Sequence, residues 1–413
     1  MKRLVIAVLL LGLLAFSATA GEVEVLHWWT TGGEAASVAV LKQLLEKEGH
    51  TWNDFAVAGG GGDNAMTVLK SRAVAGNPPT AAQVKGPQIQ LWGDEGVLTN
   101  LDDVAKAEKW DSLLPKVVAD VMKYQGHYVA VPVNVHRINW MWCNPAVFKK
   151  AGAKIPTTWA EFETAAKKIQ AAGFIPVAWG GQPWQEATVF ETIVAGEGGT
   201  AFYKQTMIDA DPEALNSTTM VKVLETLRMV KNFADPGAPG RDWNLATAMV
   251  IKGEAAMQFM GDWAKGEFTA AGKKPDVDYI AAPAPGTAKD FLFNIDSFIM
   301  FKVRNAENEK AQKAMARLIL QPEFQKVFNQ NKGSIPVRMG MDPKLFDIPA
   351  QLSMKDFAAS AKSGDLVPSM AHEMAVMPAI RGAIMDVVTN YINSDLSARD
   401  AAEQLANAVQ AAM

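Results

Sequence analysis

Two adjacent tryptophans, Trp28 and Trp29, stand just ahead of a carboxylate, Glu34, and an isolated lysine, Lys85, follows further along the chain. An indole ring is a flat apolar plate that carries a single N–H donor. A carboxylate accepts from two hydroxyls at once, and an ammonium donates back. Together they meet the needs of a sugar, whose C–H faces lie on aromatic rings and whose hydroxyls each want a donor and an acceptor. A pocket for such a ligand is a few aromatic plates inside a ring of charged or amide groups. A core role competes for the pair. Large aromatics pack in protein interiors, and neighbours on a strand point to opposite faces, so one of the two rings can be ordinary packing. The chain as a whole is rich in indoles, with 12 Trp against 5 Tyr and 5 His.

Other chemistries find less support. Gly60-Gly61-Gly62-Asp63-Asn64-Ala65 fits G-x-G-x-x-A between a strand-like and a helix-like stretch, the setting of a loop that holds a dinucleotide pyrophosphate. Such a site also needs an acidic residue about 20 positions on, to hold the ribose. No Asp or Glu occurs between Ala65 and Gly93, so the run is read as a flexible turn. There is no G-x-S-x-G, no H-E-x-x-H and no Walker loop. His27, His50, His127, His136 and His372 show no metal-ligand spacing with each other or with Cys143. No cofactor, metal or catalytic residue is therefore assigned. Carboxylate pairs for glycoside hydrolysis meet only in space, so a secreted glycoside hydrolase stays open as a rival reading, with Glu34 and Asp296 as the carboxylates to test. Cys143, the only cysteine, rules out an internal disulfide and is expected to be a buried apolar filler.

The elements that would position these residues alternate. Val23 to Leu26 reads as a strand, Glu34 to Glu48 as a helix with Val38, Leu41 and Leu45 on one face, Phe55 to Ala58 as a second strand, and a helix begins around Met66, Leu69 and Ala73. Thr80 to Val84 is a third strand. This alternation marks a mostly parallel α/β layer, whose ligands bind at the carboxyl ends of the strands, where Trp28-Trp29 and Lys85 fall. Further strands are expected at 128–133, 138–142, 175–179, 256–260, 279–282 and 297–301. Segments 185–235 and 306–331 are helical by pattern. Thr158-Trp159-Ala160-Glu161 and Ser397-Ala398-Arg399-Asp400 are capping boxes that open helices with buried stripes Phe162, Ala165, Ala166, Ile169 and Ala401, Ala402, Leu405, Ala408, Val409.

The chain opens with Lys2-Arg3, an apolar run from Leu4 to Phe16 and Ala18-Thr19-Ala20, the pattern of a secretory leader cleaved after Ala20. The run is shorter than the roughly 20 residues that span a bilayer. Removing 20 of 413 residues leaves 393, beyond the size at which one core usually divides, so two lobes are expected. The leader takes two basic residues from a chain of net charge −4 and leaves −6. That mildly acidic balance argues against nucleic acid and anionic lipid as partners.

Several blocks carry a resemblance. Arg137-Ile138-Asn139-Trp140-Met141-Trp142-Cys143-Asn144, then Phe148-Lys149-Lys150-Ala151-Gly152, then Pro156-Thr157-Thr158-Trp159-Ala160-Glu161-Phe162 resembles the R-x-x-x-x-Y-N, F-x-x-A-G, P-x-T-W-x-E-F block of the bacterial extracellular solute-binding proteins of family 1, with Cys143 in place of the usual Tyr. Gly261-Asp262-Trp263-Ala264, Ile295-Asp296-Ser297-Phe298 and Lys332-Gly333-Ser334-Ile335-Pro336-Val337-Arg338 are similar to that family as well. Within it the chain looks most like periplasmic glucose/mannose-binding proteins.

The resemblance implies an α/β, two-lobed periplasmic-binding-protein fold with a ligand cleft between the lobes. One lobe would be 21–133, with about 287–335 returning to it, and the other 134–286, completed by about 336–413. By the same likeness, Trp28 and Trp29 line a sugar face, Glu34 and Lys85 serve its hydroxyls, Trp243 and Trp263 are plates from the other lobe, and Asp296, Lys332 and His372 bind hydroxyls. It further implies a monomeric periplasmic receptor that closes on one hexose and delivers it to the membrane permease subunits of an ABC importer. A short oligosaccharide is the alternative ligand.

Overall fold

The computed structural model describes residues 20–413, so the leader up to residue 19 lies outside the described residues. Within them the chain forms two main sheets, each with its own apolar core, and a small two-stranded ribbon of Lys123–Tyr124 with His127–Tyr128. The larger sheet runs in the order Thr51–Ala56, Glu22–His27, Ala81–Val84, Phe291–Met300, Ala130–Arg137, Ile335–Pro336, and Leu366–Pro368 pairs with the start of Phe291–Met300. Its first three strands are parallel. Phe291–Met300 runs antiparallel to the neighbours on either side. The smaller sheet runs Ile280–Pro283, Trp140–Cys143, Ala255–Phe259, Ile175–Val177, and only its last pair is parallel. The parallel layer expected from the alternation is thus confined to the start of the chain.

The differences from the sequence reading have local causes. The second strand begins at Thr51, because an edge strand exposes polar Thr51, Asn53 and Asp54 and so hides its pattern. The strand expected at 297–301 is the second half of Phe291–Met300, all ten of whose residues are buried. The helical span 306–331 is two helices, Ala306–Ile319 and Pro322–Lys332; Pro322 has no N–H to continue the first and sits where a helix starts. At Thr158 half of the capping box forms: its side chain accepts from the Glu161 N–H, but Glu161 turns back to the amide and hydroxyl of Thr157. Ser397 caps the last helix, Ala398–Ala412. There Ala401, Ala402, Leu405 and Val409 are buried as read, together with Ala406, while Ala408 is only partly covered.

One core gathers the strands up to Val135 with Phe291 to Ala350; the other gathers Ile138 to Ala284 with most of the apolar residues from Val367 to Val409. Two of the three expected divisions shift. The strand Ala130–Arg137 stays in the larger sheet to its end, and Val337, Phe346 and Ala350 remain with the larger core because the strand Ile335–Pro336 holds that segment to the sheet. The chain crosses between cores three times: at Ile138-Asn139, between Pro283 and Phe291, and after the helix Ile348–Ser363. Buried Asn139 laces the first two crossings. Its amide donates to Thr287 Oγ1 at 3.0 Å and Asp290 O at 2.9 Å, and its Oδ1 accepts from the Leu292 N–H. Arg137, fully buried, reaches Asp356 at 2.7 Å. The fold therefore places its three connections on one side of a cleft.

Candidate functional site

The carboxyl ends of the strands and the turns after them enclose a cavity of about 350 Å³ between the two cores, within the range of about 300–1,000 Å³ typical of small-molecule sites. All nine residues singled out in the sequence line it: Trp28, Trp29, Glu34, Lys85, Asp296 and Lys332 from the larger lobe, and Trp243, Trp263 and His372 from the smaller. Trp28 and Trp29 follow the strand Glu22–His27. Glu34 lies in the first turn of the helix Gly32–Lys47, and Lys85 follows Ala81–Val84. Asp296 stands at a bulge where Val133 of the neighbouring strand is passed over, a device that re-aims side chains beside functional sites. Lys332 ends its helix, stopped by Gly333 at φ 92.

The tryptophan pair divides. Trp28 is partly open to the cavity, with Lys85 Nζ 4.9 Å from its ring centre. Trp29 is 1% exposed and packs edge-on against Phe298 and Phe328. It is wall rather than open plate, though its Nε1 has no hydrogen-bond partner among the described residues. Trp263 stands between His136 and His372, with ring centres 5.2 and 5.0 Å away.

Charge in the site is arranged in opposed pairs. Lys332 donates to Glu34 at 2.7 Å. Asp296 accepts from Gln83 at 3.2 Å and meets His136 Nε2 at 2.9 Å. Burial alone would raise the Asp296 carboxyl, but His136, Lys332 and Lys85 outweigh it and hold the group well below the usual carboxylate range. His372 behaves the opposite way: burial pushes its pKa down to about 4, so the ring is neutral at pH 7. Its tautomer follows from its neighbours. Ser369 donates its hydroxyl to Glu191 at 2.6 Å, so His372 Nδ1–H donates to Ser369 Oγ at 2.9 Å. That leaves Nε2 as an acceptor. Glu191, fully buried, also accepts from Tyr203 and from the Met370 and Ala371 amides, and so fixes the turn that carries His372.

Several lining groups went unread in the sequence. The glycine run is the chief correction. Gly59, Gly60 and Gly61 form part of the cavity wall, and the run is wedged rather than loose. A Cβ on Gly61 would lie 3.0 Å from the Trp184 ring, and one on Gly62 3.1 Å from the Trp28 ring. Gln182, Trp184 and Asp242 form a chain on the smaller lobe, with Trp184 Nε1 donating to Gln182 at 2.8 Å and Gln182 to Asp242 at 2.6 Å. Gln182 and Trp184 follow the strand Ile175–Val177, where the strand-end rule would have found them; Asp242 instead precedes the helix Trp243–Lys252. Asn294 lines the cavity with a buried Oδ1 that has no partner among the described residues. Cys143 is buried, and burial pushes its thiol up, as suits a filler.

The model of the family described as bacterial extracellular solute-binding protein matches residues 26–326. A probable sugar-binding periplasmic protein of Rhizobium meliloti is 48% identical over 407 residues, 98% of each chain. Among solved structures, the bacterial solute receptor AcbH, reported to have an exclusive substrate preference for β-D-galactopyranose, aligns with a TM-score of 0.77 at 19% identity, over 95% of this chain and 97% of that one. A chitin oligosaccharide binding protein aligns with a TM-score of 0.78, also at 19% identity, over 95% and 99%.

Proposed function

Since the chain belongs to the bacterial extracellular solute-binding protein family, whose members bind solutes and do not transform them, we propose that it is the periplasmic receptor of an ABC sugar importer and holds one hexose, glucose or mannose, between its lobes. The hydrolase reading falls with the family.

The observation that carries the ligand class is the lining of the cavity. Flat indole faces from both lobes, Trp28 and Trp243, accompany ionised carboxylates, two ammonium groups and two buried polar atoms without partners, Trp29 Nε1 and Asn294 Oδ1. An unpaired buried polar atom costs about 1–3 kcal/mol, which a ligand hydroxyl would relieve. The volume of about 350 Å³ suits a single ring better than a chain of rings. The leader directs export, the sugar closes the lobes because each supplies part of the site, and the closed monomer is the form a permease engages.

The second reading is a short oligosaccharide, favoured by the chitin oligosaccharide binding protein of the same fold. Isothermal titration of refolded, ligand-free mature protein with glucose tests both. One-to-one binding, followed by a panel of mannose, galactose, xylose and maltose, would support the hexose. Binding to a disaccharide alone would move the ligand to the second reading. No heat with any sugar would overturn the assignment of the site.

A further inference from the structure

His136, fully buried in the strand Ala130–Arg137 of the larger lobe, forms part of the cavity wall. Its two ring nitrogens face two carboxylates. Nδ1 meets Asp262, on the smaller lobe just after the strand Ala255–Phe259, and Nε2 meets Asp296 Oδ2 at 2.9 Å. Asp262 does not line the cavity. Its other oxygen accepts from the Arg137 N–H at 2.9 Å.

A neutral imidazole has one N–H and one lone pair. Placed between two carboxylates, it would aim that lone pair at one of them. Only the ring protonated on both nitrogens donates to both. Asn134 Nδ2 lies 2.9 Å from His136 Nε2 and donates to Ser334 Oγ at 2.8 Å. The Trp263 ring stands nearly perpendicular to the imidazole, 5.2 Å away. Around the same group, Lys332 and Lys85 act on Asp296 from the cavity side, and among the described residues no carboxylate besides Asp262 and Asp296 hydrogen-bonds to the ring.

Resting on the sugar-receptor reading, we propose that His136 is a positioning residue: a permanently charged imidazolium that fixes the carboxylate of Asp296 towards the sugar and anchors it, through Asp262, to the opposite lobe. Affinity for the sugar then depends on a carboxylate, Asp262, that never touches it. Burial works against the charged ring, but the two carboxylates outweigh it and raise its pKa.

The test has two arms. In protein labelled with ¹⁵N-histidine, with and without glucose at pH 8, both His136 ring nitrogens should show shifts of protonated nitrogen, assigned by their loss in His136→Gln. One unprotonated ring nitrogen at pH 8 would overturn the proposal, and this arm needs neither sugar nor a variant that binds. In the second arm, Asp262→Asn should weaken glucose binding at least tenfold at pH 8 and recover much of it at pH 6, as the ring regains its proton. A purely structural loss would not be reversed by acid. Affinity within twofold of the parent at pH 8 would overturn the proposal. If the parent protein binds no sugar, the function proposed above fails on its own, and the nitrogen shifts still decide the charge of His136.

Discussion

Trp28 offers its ring to the cavity, backed by Gly62 and faced by the Lys85 ammonium, whereas Trp29 is locked among Phe298 and Phe328. Trp28→Ala should therefore cost about 1–3 kcal/mol of glucose binding with little change in melting temperature. Trp29→Ala should cost about 3–5 kcal/mol of stability, as removal of a core aromatic does. Titration and thermal melts on the two variants separate them, and equal stability losses would mean that Trp28 is core as well. His372 sets a pH dependence. Its folded pKa, about 4, lies below the ordinary 6.5, so its contribution is complete above pH 6.5 and is lost as pH falls towards 4, up to about 3 kcal/mol at about 1.4 kcal/mol per pH unit. Sugar affinity should fall only as pH drops through about 4, where the folded ring takes up its proton and the Nε2 acceptor becomes a donor. His372→Asn should flatten the decline in stability between pH 6.5 and 4, and an unchanged profile would assign that decline to other groups.

At the scale of elements, the glycine run shows how a backbone requirement becomes part of a site. Gly61 has φ 61 with an indole against it, and Gly76 has φ 74 with open space around it. An alanine in the left-handed region costs roughly 1–2 kcal/mol at either position. Only Gly61→Ala should also weaken sugar binding, because its methyl group would press on Trp184; affinities measured for the two variants decide whether the run is wall or mere turn. The run was legible as a turn and its role was not, since its neighbours Trp28 and Trp184 meet it only in the folded chain. The same limit explains the rest. The last helix was readable because its stripe repeats at helical spacing and Ser397 starts it; Leu405→Ala should cost about 2–5 kcal/mol in chemical denaturation. The strands leading to Trp28 and Lys85 were readable from alternation and from the turns after them. The start of Phe291–Met300 was missed because a strand covered on both faces has no alternation, and Thr51 because an edge strand shows polar residues. Glu191 sits in the long helix Pro183–Tyr203, and nothing in its own segment reveals that it will hold the turn bearing His372, which lies far away in sequence.

For the molecule as a whole, three contacts join the two lobes across the cleft. Gly33 N–H donates to Glu267 at 3.1 Å, Lys265 reaches Asp347 at 2.7 Å, and Asp63, at the end of the glycine run, pairs with Arg381 at 2.9 Å. Opening about the three crossings must break pairs of this kind, so each biases the lobes towards closure even without ligand, and a ligand that bridges both lobes adds to the same bias. Asp63 is 42% exposed, which limits its pair to about 1 kcal/mol or less, or up to about fivefold in affinity. Asp63 is the better partner to remove, because Arg381 also holds the Ala371 carbonyl beside His372 and its loss would disturb the site directly. Asp63→Asn should enlarge the radius of gyration of the sugar-free protein in small-angle scattering, leave that of the sugar-bound protein unchanged, and weaken glucose binding two- to fivefold, mainly through faster release. High salt should shrink the difference between variant and parent, since screening weakens an exposed pair in both states of comparison. An unchanged sugar-free radius with unchanged affinity would mean that the pair is made equally in the open and closed forms, and the bias towards closure would then rest on the Lys265–Asp347 and Gly33–Glu267 contacts.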